Sequence, residues 1–314
     1  MKILLLGATG TIGRATHRAL LNRGHETICL LRPGTTPPTG DHRTIDLADP
    51  AAITLRGDRF DAILSCMASR TGAPADAWAV DHQAHLNILH AAQAAGIGRF
   101  VLLSAICVQK PRLPFQHAKL AFEAALAQSG LAQSGLAYAI VRPTAFFKSL
   151  SGQIPRLRRG KPFLLFGDGT QTACKPIADD DLAEYLVDQL DRCRNEILPI
   201  GGPGPAITPR QQGEALFALL GQPPNFRQLP VALLDAIIAI LAAAAPLSRR
   251  AAEKAELARI GRYYATESML LLDPATNRYD AEATPETGTR SLLDHYRHLI
   301  ATGADPNLGS HAVF

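Results

Sequence analysis

Short apolar runs alternate with longer segments of helical periodicity over the first half of the chain. Lys2–Gly7 and Glu26–Arg32 are apolar runs of strand length, and Thr11–Arg23 lies between them with helical spacing. Three further strands are predicted at Asp61–Cys66, Arg99–Ser104 and Leu136–Arg142, and two further helices at Trp78–Ala95 and Phe115–Gln128. Strands that alternate with helices in this way predict βαβ units and a parallel sheet.

The pattern changes after Pro143. Asp179–Leu190 predicts one more helix, but the rest of the second half lacks the regular alternation. We therefore predict an α/β fold, a Rossmann doubly wound parallel sheet with a smaller C-terminal substrate-binding part. The predicted NADP-binding Rossmann domain is 1–144, with 179–200 returning to it, and the predicted substrate-binding part is 145–178 and 201–314.

Two local segments add structural expectations. The apolar segment Leu229–Leu247 is interrupted by Pro230, Asp235 and Pro246, so it is too short to cross a bilayer, which takes about 20 residues. It predicts either a buried helix or an apolar helix against a large hydrophobic ligand or a membrane surface. The sequence LAQSG occurs twice in succession at 126–135 and predicts a duplicated surface loop after a helix.

Composition limits the class of function. Apolar residues make up 47% of the chain and charged residues 19%, which allows a sizeable core. The net charge of +4 is mild and Lys/Arg runs are short, so nucleic-acid binding is not predicted. The five cysteines are odd in number and lack zinc or redox spacing. They predict reduced thiols, no metal site and a cytoplasmic protein, and the N-terminal residues show no signal-peptide pattern.

Glycines at GxxGxxG spacing follow the first predicted strand. Gly7 permits a tight turn, Gly10 lets the backbone approach a pyrophosphate, and Gly13 lets the following helix pack against the strand. That helix offers backbone N–H groups to the phosphates. A strand before the turn and a helix and strand after it are the context that dinucleotide binding requires. The predicted dinucleotide turn consists of Gly7, Thr9, Gly10, Thr11, Ile12 and Gly13.

The end of the second predicted strand indicates which dinucleotide is bound. Arg32 stands there, where a carboxylate would bind the ribose 2′-hydroxyl of NAD and repel a 2′-phosphate. An arginine favours the phosphate, so we predict NADPH. Asp46 is placed to bond the adenine edge. The other predicted cofactor residues are Ser65, Cys66, Ser104, Lys119 and Pro143.

Short-chain dehydrogenases combine such a glycine turn with Tyr-x-x-x-Lys on one face of a helix. The corresponding segment here is FQHAK, from Phe115 to Lys119. Phe115 has no proton to give, so alcohol–ketone chemistry through a tyrosine and sugar epimerisation are not predicted. Lys119 can still bond the nicotinamide ribose or donate a proton.

Eight blocks of sequence are longer or more specific than a generic Rossmann protein requires. They are SCMASRTG (65–72), FVLLSAICVQKP (100–111), IVRPTAFFKSLSGQ (140–153), FGDG (166–169), CKPI (174–177), PIGGPG (199–204), RIGRYYATESML (259–270) and EATP (282–285). Together they resemble the divinyl chlorophyllide 8-vinyl reductases, atypical members of the short-chain dehydrogenase/reductase superfamily. The resemblance runs from the glycine turn almost to the C-terminus, and the LAQSG duplication touches none of the blocks.

The resemblance implies an NADPH-dependent enzyme of chlorophyll or bacteriochlorophyll biosynthesis in a photosynthetic organism. Its substrate would be divinyl chlorophyllide or divinyl protochlorophyllide, with the 8-vinyl group reduced to ethyl. A vinyl group conjugated to the macrocycle accepts hydride at its terminal carbon, the negative charge spreads into the ring, and a proton is then delivered. Lys119 is the first candidate donor, His117 and Cys107 are alternatives, and water is a further one.

The substrate surface is predicted from aromatic and basic residues. The aromatic candidates are Phe146, Phe147, Phe163, Phe166, Tyr263 and Tyr264, each of which is otherwise a core residue. The basic candidates are Arg156, Arg158, Arg159 and Lys161. This cluster is expected to hold a pigment propionate, to draw the protein to anionic lipid at the periphery of a photosynthetic membrane, or simply to be solvated.

Other classes of function are compatible with the glycine turn. A non-catalytic NADP-binding regulator would bind NADPH without turnover, and a scaffold with a retained nucleotide would have a stable partner protein. A third alternative is a reductase of another conjugated double bond. The blocks after residue 140 favour the vinyl reductase, for which no obligate protein partner is predicted.

Overall fold

A computed structural model describes residues 1–55, 57, 59–131 and 135–306. The chain forms two compact units. Unit 1 comprises Met1–Ser69, Pro74–Pro143 and Asp179–Pro199, and unit 2 comprises Arg70–Ala73, Thr144–Ala178 and the chain from Ile200 onward. The assignment of the first unit to the cofactor and of the second to the substrate remains a proposal.

Strands and helices alternate along most of the chain. The strands are β1 (Lys2–Leu6), β2 (Glu26–Leu31), β3 (His42–Thr44), β4 (Ala62–Ser65), β5 (Arg99–Leu103), β6 (Ala137–Pro143), β7 (Phe163–Phe166), β8 (Glu196–Ile200), β9 (Phe226–Leu229), β10 (Leu271–Asp273) and β11 (Arg278–Asp280). The α-helices are α1 (Thr11–Asn22), α2 (Pro74–Ala77), α3 (His85–Ala95), α4 (Pro114–Leu131), α5 (Phe147–Leu150), α6 (Ile154–Arg158), α7 (Asp179–Arg192), α8 (Pro209–Leu220), α9 (Val231–Ala244), α10 (Arg249–Thr266) and α11 (Leu292–Thr302).

Unit 1 is built on a seven-stranded sheet with the order β3-β2-β1-β4-β5-β6-β8. Every pairing from β3 across to β6 is parallel. The inner strands β1, β4 and β5 are largely apolar and their apolar residues are buried, as expected of strands covered on both faces. This order confirms the predicted α/β doubly wound Rossmann fold. From β1 the strands β2 and β3 are added on one side, and β4, β5 and β6 are added on the other. Ligands of such sheets bind at the carboxyl ends of the strands where this change of side occurs, here between β1 and β4.

The helix predicted at Trp78–Ala95 begins earlier and is not uniform. It starts with α2 at Pro74, continues as a π-helical stretch over Trp78–Ala84, and becomes regular again in α3. Gly96 ends it in the left-handed conformation, with a φ of 71°. The hydrophobic periodicity of the sequence gave no sign of this π-helical stretch.

The prediction of a duplicated loop at the LAQSG repeat is partly wrong. The first copy, 126–130, belongs to α4, which extends to Leu131. Leu126 is fully buried and Ser129 donates from Oγ to the Leu126 carbonyl at 2.7 Å, so this copy packs as helix and not as surface loop. Residues 132–134 of the second copy lie outside the described residues.

Unit 2 has its own apolar core. α5, α6, β7, α8 and α11 contribute its side chains, and Tyr296 on α11 is fully buried at its centre. β7 and β9 pair in parallel, and β10 and β11 form an antiparallel pair. α8 begins at a capping box made by Thr208 and Gln211 and ends at Gly221, which has a φ of 64°.

The apolar segment 229–247 forms β9's last residue, α9 and a short 3-10 turn at Ala245–Leu247. Leu234 is the one residue of α9 that is buried. The expectation of a buried helix is therefore wrong, and the alternative of an apolar helix open to a ligand or membrane surface agrees with the exposure. Within the part of the chain that the structure describes, no helix has the length and apolar character needed to cross a membrane.

Candidate active site

The glycine turn joins β1 to α1 in the geometry expected for a dinucleotide cradle. Gly7 has a φ of 75°, and a Cβ there would lie 2.6 Å from the backbone of Cys66 and Met67. A Cβ on Gly13 would lie 2.0 Å from the Gly7 carbonyl oxygen, so α1 can approach the turn this closely only without a side chain. These two contacts fix the turn and the start of the helix against the ends of β1 and β4.

The first turn of α1 is open to a phosphate. Gly10 is the N-cap residue and is exposed, and it has no side chain with which to occupy the helix amides. A Cβ on Gly10 would have the Gly7 carbonyl oxygen as its nearest neighbour, at 3.4 Å. Thr9 and Thr11 are half-buried beside it. The side chain of Ile12 is buried, so the backbone N–H is the group through which Ile12 could bind a phosphate. The turn thus fits a dinucleotide pyrophosphate.

Arg14 is a residue of this turn that the sequence prediction did not include. It is exposed in the first turn of α1, and its guanidinium donates to the Thr9 carbonyl at 2.5 Å. A cation at this place would face the same phosphates as the helix amides. Its position directly after the third glycine of the motif was a signal that could have been used.

The predicted 2′-phosphate residue Arg32 is exposed and stands directly after β2. Asp46, predicted to bond the adenine, is also exposed, and its Oδ1 accepts from the Ala48 backbone N–H at 3.0 Å. Its carboxylate therefore shapes a local turn after β3. Both side chains are on unit 1, as a cofactor role requires.

A buried polar chain lies at the carboxyl end of β4. His85 Nδ1 is 2.8 Å from the Val80 carbonyl oxygen, so this nitrogen carries the proton, and Nε2 accepts from Ser65 Oγ at 2.8 Å. Ser65 Oγ in turn accepts from the Met67 N–H at 3.3 Å. Complete burial lowers the pKa of His85 to about 4, so the ring is neutral. Ser65 thus fixes the backbone that faces Gly7.

Cys66 comes next after Ser65 and lies under the first turn of α1. Its Sγ is 3.5 Å from Thr16 Oγ1. Burial raises the pKa of the Cys66 thiol to about 12, with the Thr16 contact acting in the opposite direction, so the thiol is protonated at neutral pH. In the predicted cofactor site, Cys66 would pack beneath the first turn of α1 and would not act as a nucleophile.

Lys119 forms an ion pair that brings α4 to the π-helical stretch. Its Nζ lies 3.0 Å from Oδ1 of Asp81, and the side chains are 12% and 0% exposed. The same Oδ1 accepts from the Ser69 N–H at 3.2 Å. Oδ2 of Asp81 is buried without a hydrogen-bond partner among the described residues. Lys119 is therefore held by a carboxylate that still has acceptor capacity, which suits a group that holds or passes a proton.

Asp81 was missed by the sequence prediction. It stands in the middle of the stretch Trp78–Ala84, where the wide π turn sets which side chains face α4. Sequence periodicity gave no reason to place a carboxylate opposite Lys119. An acid within a largely apolar helix, between two predicted buried strands, was the signal that could have found it.

Ser104 belongs to a second buried network at the ends of β5 and β6. Its Oγ donates to a carboxylate oxygen of Glu123, which is 3% exposed. Arg142 forms an ion pair with Glu123 from the neighbouring strand. Glu123 lies one helical turn beyond Lys119 on α4, so the helix is linked to the π-helical stretch through Lys119 and to the ends of β5 and β6 through Glu123. Pro143 is buried at the last position of β6.

The remaining candidates for the proton donor differ in access. His117 is exposed on the other side of α4, and Cys107 is buried in the 3-10 turn Ile106–Gln109. Phe115 is buried one turn before Lys119, so an apolar ring takes the place that a catalytic tyrosine has in short-chain dehydrogenases. Lys119 has a structured polar partner, the Asp81 carboxylate, that would hold its proton in place.

The aromatic candidates of unit 2 separate into two groups. Phe147, Phe163 and Tyr263 are buried, and the first two belong to the core cluster of the unit. Phe146, Phe166 and Tyr264 are half-buried. Phe166 also lines an apolar groove of about 310 Å³ between α9 and α10. The accessible rings of this unit are therefore those of the second group.

The basic cluster is divided in the same way. Arg158 donates to the carbonyls of Leu299, Gly303 and Ala304, and so holds the end of α11. Arg156 donates from Nε to the Pro162 carbonyl at 2.7 Å. Arg159 and Lys161 are exposed. The last two have side chains positioned for a carboxylate or phosphate from solution.

Three of the family-like blocks meet within unit 2. Lys175, of the CKPI block, is buried and pairs with Glu286 just after the EATP block. A Cβ on Gly202, of the PIGGPG block, would lie 1.8 Å from the Pro176 carbonyl oxygen. The hydrogen bond from Lys175 is the main cause that lowers the pKa of Glu286. These blocks are thus explained in part by packing of the chain against itself.

Comparison with known proteins agrees with this geometry. A family model described as NAD(P)H-binding matches residues 7–192. The UDP-Glc/GlcNAc 4-epimerase of Campylobacter jejuni superposes with a TM-score of 0.63 at 18% identity, covering 73% of this chain and 86% of that chain, which shows the fold alone. The chain is an NAD(P)H-binding protein of the Rossmann class.

Similarity over nearly the whole chain gives the family. The divinyl chlorophyllide a 8-vinyl-reductase of rice, Oryza sativa subsp. indica, is 45% identical over 99% of this chain and 82% of its own length. The photosystem II assembly factor Ycf39 of Synechocystis is 27% identical over 64% of this chain and 63% of its own. The protein therefore belongs to the divinyl chlorophyllide a 8-vinyl-reductase family, as the sequence blocks had indicated.

Proposed function

We propose that the protein reduces the 8-vinyl group of a divinyl chlorophyllide to ethyl, with NADPH as the reductant. The observation that carries the proposal is 45% identity to the rice reductase across 99% of the chain. The glycine turn, open at the first turn of α1, supports dinucleotide binding. The absence of a tyrosine at position 115 supports a reaction at a carbon–carbon double bond, in which no carbonyl or hydroxyl group has to be polarised.

NADPH is the finer part of the cofactor assignment. Arg32 stands directly after β2 and is exposed, so its guanidinium can pair with a 2′-phosphate. No carboxylate stands at this position to repel that phosphate. Arg14 adds a second cation on the same edge of the sheet.

The chain's own groups would complete the reduction that the cofactor begins. When bound, the nicotinamide would supply a hydride for the terminal carbon of the vinyl group. Lys119 is the proposed donor of the proton that then adds to the inner carbon of the former double bond, and Nζ is the atom that gives it up. Asp81 is the proposed positioning residue, because its Oδ1 fixes the ammonium at 3.0 Å. His117 and Cys107 remain secondary candidates.

Unit 2 is proposed to hold the pigment. Phe146, Phe166 and Tyr264 offer half-buried aromatic surface, and Arg159 and Lys161 offer exposed cations for the propionate. Phe147, Phe163 and Tyr263 would support this surface from the core. A location in the cytoplasm at the periphery of a photosynthetic membrane belongs to the same proposal, and it is supported by five free thiols.

The direct test is turnover with the purified protein. Divinyl chlorophyllide a and divinyl protochlorophyllide a are each incubated with NADPH or NADH, and the Soret band is monitored. We expect a blue shift with NADPH, because the loss of the vinyl group shortens the conjugated system. NADPH binding without a shift for either pigment would contradict the proposal and favour a regulator.

The similarity to Ycf39 keeps an assembly role as a second candidate. That protein is named a photosystem II assembly factor and is 27% identical over 64% of this chain. An assembly role predicts a stable complex with a photosystem subunit and no effect of NADPH on the pigment spectrum. The longer and closer similarity to the reductases favours catalysis.

A further inference from the structure

The most exposed apolar surface of the described residues lies on α9 and the turn after it. α9 has 14 residues, VALLDAIIAILAAA, of which Asp235 is the one charged residue. A helix this apolar is expected to be buried on most of its faces. Instead the side chains of Ile240 and Leu247 are 71% and 93% exposed.

The exposed side chains share one face. Leu233, Ile237 and Ile240 are spaced i, i+4 and i+7, which puts them in one stripe along α9. Leu247 lies beyond the end of the helix, in the turn Ala245–Leu247. Leu233 and Ile237 also line the apolar groove between α9 and α10, so the stripe and the groove form a continuous apolar surface. We call it the hairpin surface.

Basic side chains border the tip of the hairpin surface. Ser248 caps α10, and Arg249 and Arg250 come directly after it, both exposed. Lys254 is exposed one turn further on. From Val231 to Arg262 the five basic residues are Arg249, Arg250, Lys254, Arg259 and Arg262, and the three acidic residues are Asp235, Glu253 and Glu256.

The acids of the hairpin surface do not neutralise its tip. Asp235 pairs with Arg262, at the far end of α10 from the tip, and Glu256 is buried and pairs with Arg259 at 3.0 Å. Glu253 contacts Arg249 at 3.2 Å, in an exposed i,i+4 pair of the weak kind. Positive charge therefore remains beside Leu247.

An anionic bilayer fits this combination better than a second copy of the chain. Lipid acyl chains accept apolar side chains at the headgroup boundary, while phosphate groups attract arginines next to them. A twofold pair through the hairpin surface would set the same basic face against itself, and like charges there would repel each other.

We propose that the hairpin surface docks on an anionic lipid bilayer, with Ile240 and Leu247 entering the headgroup boundary and Arg249 and Arg250 binding lipid phosphates. This proposal rests on the peripheral membrane location in the proposed function, and it assigns that contact to the hairpin surface. It involves neither cofactor nor pigment, so it is tested separately from the reaction.

The experiment is co-sedimentation of the whole protein with vesicles, without NADPH or pigment. Vesicles of phosphatidylglycerol and phosphatidylcholine in equal parts are compared with vesicles of phosphatidylcholine alone. We expect binding to the anionic vesicles that weakens as salt is added. Leu247→Glu should reduce the partition coefficient about tenfold or more, and Arg249→Ala and Arg250→Ala about fivefold each.

Leu21→Glu is the matched control, because Leu21 is 48% exposed but lies on α1 of unit 1. This variant should bind vesicles as the wild type does. Far-UV circular dichroism and turnover in detergent-free solution confirm that each variant is folded. Failure of the wild type to sediment with anionic vesicles would overturn the proposal. So would unchanged binding of Leu247→Glu, or a concentration-dependent dimer in sedimentation velocity that Leu247→Glu dissociates.

Discussion

Lys119 Nζ lies 3.0 Å from Oδ1 of Asp81, and the carboxylate of this pair is completely buried. The lysine comes from α4 and the aspartate from the π-helical stretch before α3, so the pair joins two helices that come after neighbouring strands of the sheet. One oxygen of Asp81 is left without a partner among the described residues. Desolvation of a buried pair can cost as much as the ionic attraction gains, so its presence is weak evidence of a stabilising role.

If Lys119 delivers the proton, Lys119→Ala should lower kcat with divinyl chlorophyllide a by about 10²–10⁴-fold, the range of general acid catalysis. Asp81→Asn should lower kcat with little change in KM, because it removes the charge that positions the ammonium and keeps the shape. Lys2→Ala is the control, since Lys2 pairs with Glu26 at the surface at 2.9 Å. Wild-type turnover in Lys119→Ala would remove the lysine from the mechanism.

Arg32 should determine which dinucleotide is used. Arg32→Ala is expected to raise KM for NADPH about 10- to 100-fold, because charge-assisted hydrogen bonds contribute about 1.5–3 kcal/mol. KM for NADH should stay near the wild-type value. Arg18→Ala is a matched control, since Arg18 is an exposed arginine on α1 that pairs with Asp180 at 2.7 Å. Equal use of both cofactors by the wild type would contradict the assignment.

Gly13→Ala should disrupt the dinucleotide turn. The new Cβ would meet the Gly7 carbonyl oxygen at 2.0 Å, so α1 has to move away from the strand. We expect a loss of about 1–3 kcal/mol in the free energy of unfolding and a large loss of NADPH affinity. Gly98→Ala introduces the same methyl where nothing lies within 4 Å, and both properties should be unchanged. Fluorescence titration with NADPH and urea denaturation measure the two effects.

His85 should make stability depend on pH. Its folded-state pKa is lowered to about 4 from an ordinary value of 6.5, chiefly by burial. Between pH 6.5 and pH 4, His85 binds a proton in the unfolded chain but stays neutral in the folded protein. The free energy of unfolding therefore falls as pH falls. The full loss between about pH 6.5 and pH 4 is roughly 3 kcal/mol. In His85→Gln this part of the decline should disappear, as measured by urea unfolding across that range.

The basic cluster should show two different effects. Arg158→Ala removes donors from the carbonyls at the end of α11, so we expect a loss of about 1–3 kcal/mol in stability and an unchanged KM for the pigment. Arg159→Ala with Lys161→Ala should leave stability unchanged, because both side chains are exposed. A raised pigment KM in this double variant supports a propionate contact, and an unchanged KM argues against one.

The order of the Rossmann elements could be predicted because β1, β2, β4 and β5 are continuous apolar runs and the helices between them are periodic. β3 could not, since it has three residues, HRT, without an apolar pattern. α9 was ambiguous because an apolar helix looks the same in sequence whether it is covered by protein or by something else. Exposure is a property of the neighbours, and these are distant in sequence.

The cofactor side of the site was predictable to the extent that its chemistry is local. Gly7, Gly10 and Gly13 act within a single turn, so spacing alone indicates their use. Asp81 and Glu123 act on residues that are 38 and 19 positions away along the chain. Such partners depend on which face a helix presents, and in one case on a π-helical stretch that periodicity does not show.

The wide turn at Trp78–Ala84 makes this helix sensitive to its own length. The Val80 carbonyl accepts a hydrogen bond from the ring of His85, five positions further on, and Asp81 stands between the two residues. Deleting the exposed Gln83 would rotate the C-terminal part of the helix by about 100° relative to its N-terminal part. Asp81 could then reach Lys119, or His85 could reach Ser65, but one helix could no longer satisfy both. The segment therefore acts as a spacer whose residue count, more than its composition, keeps His85 against Ser65 and Asp81 against Lys119 at the same time.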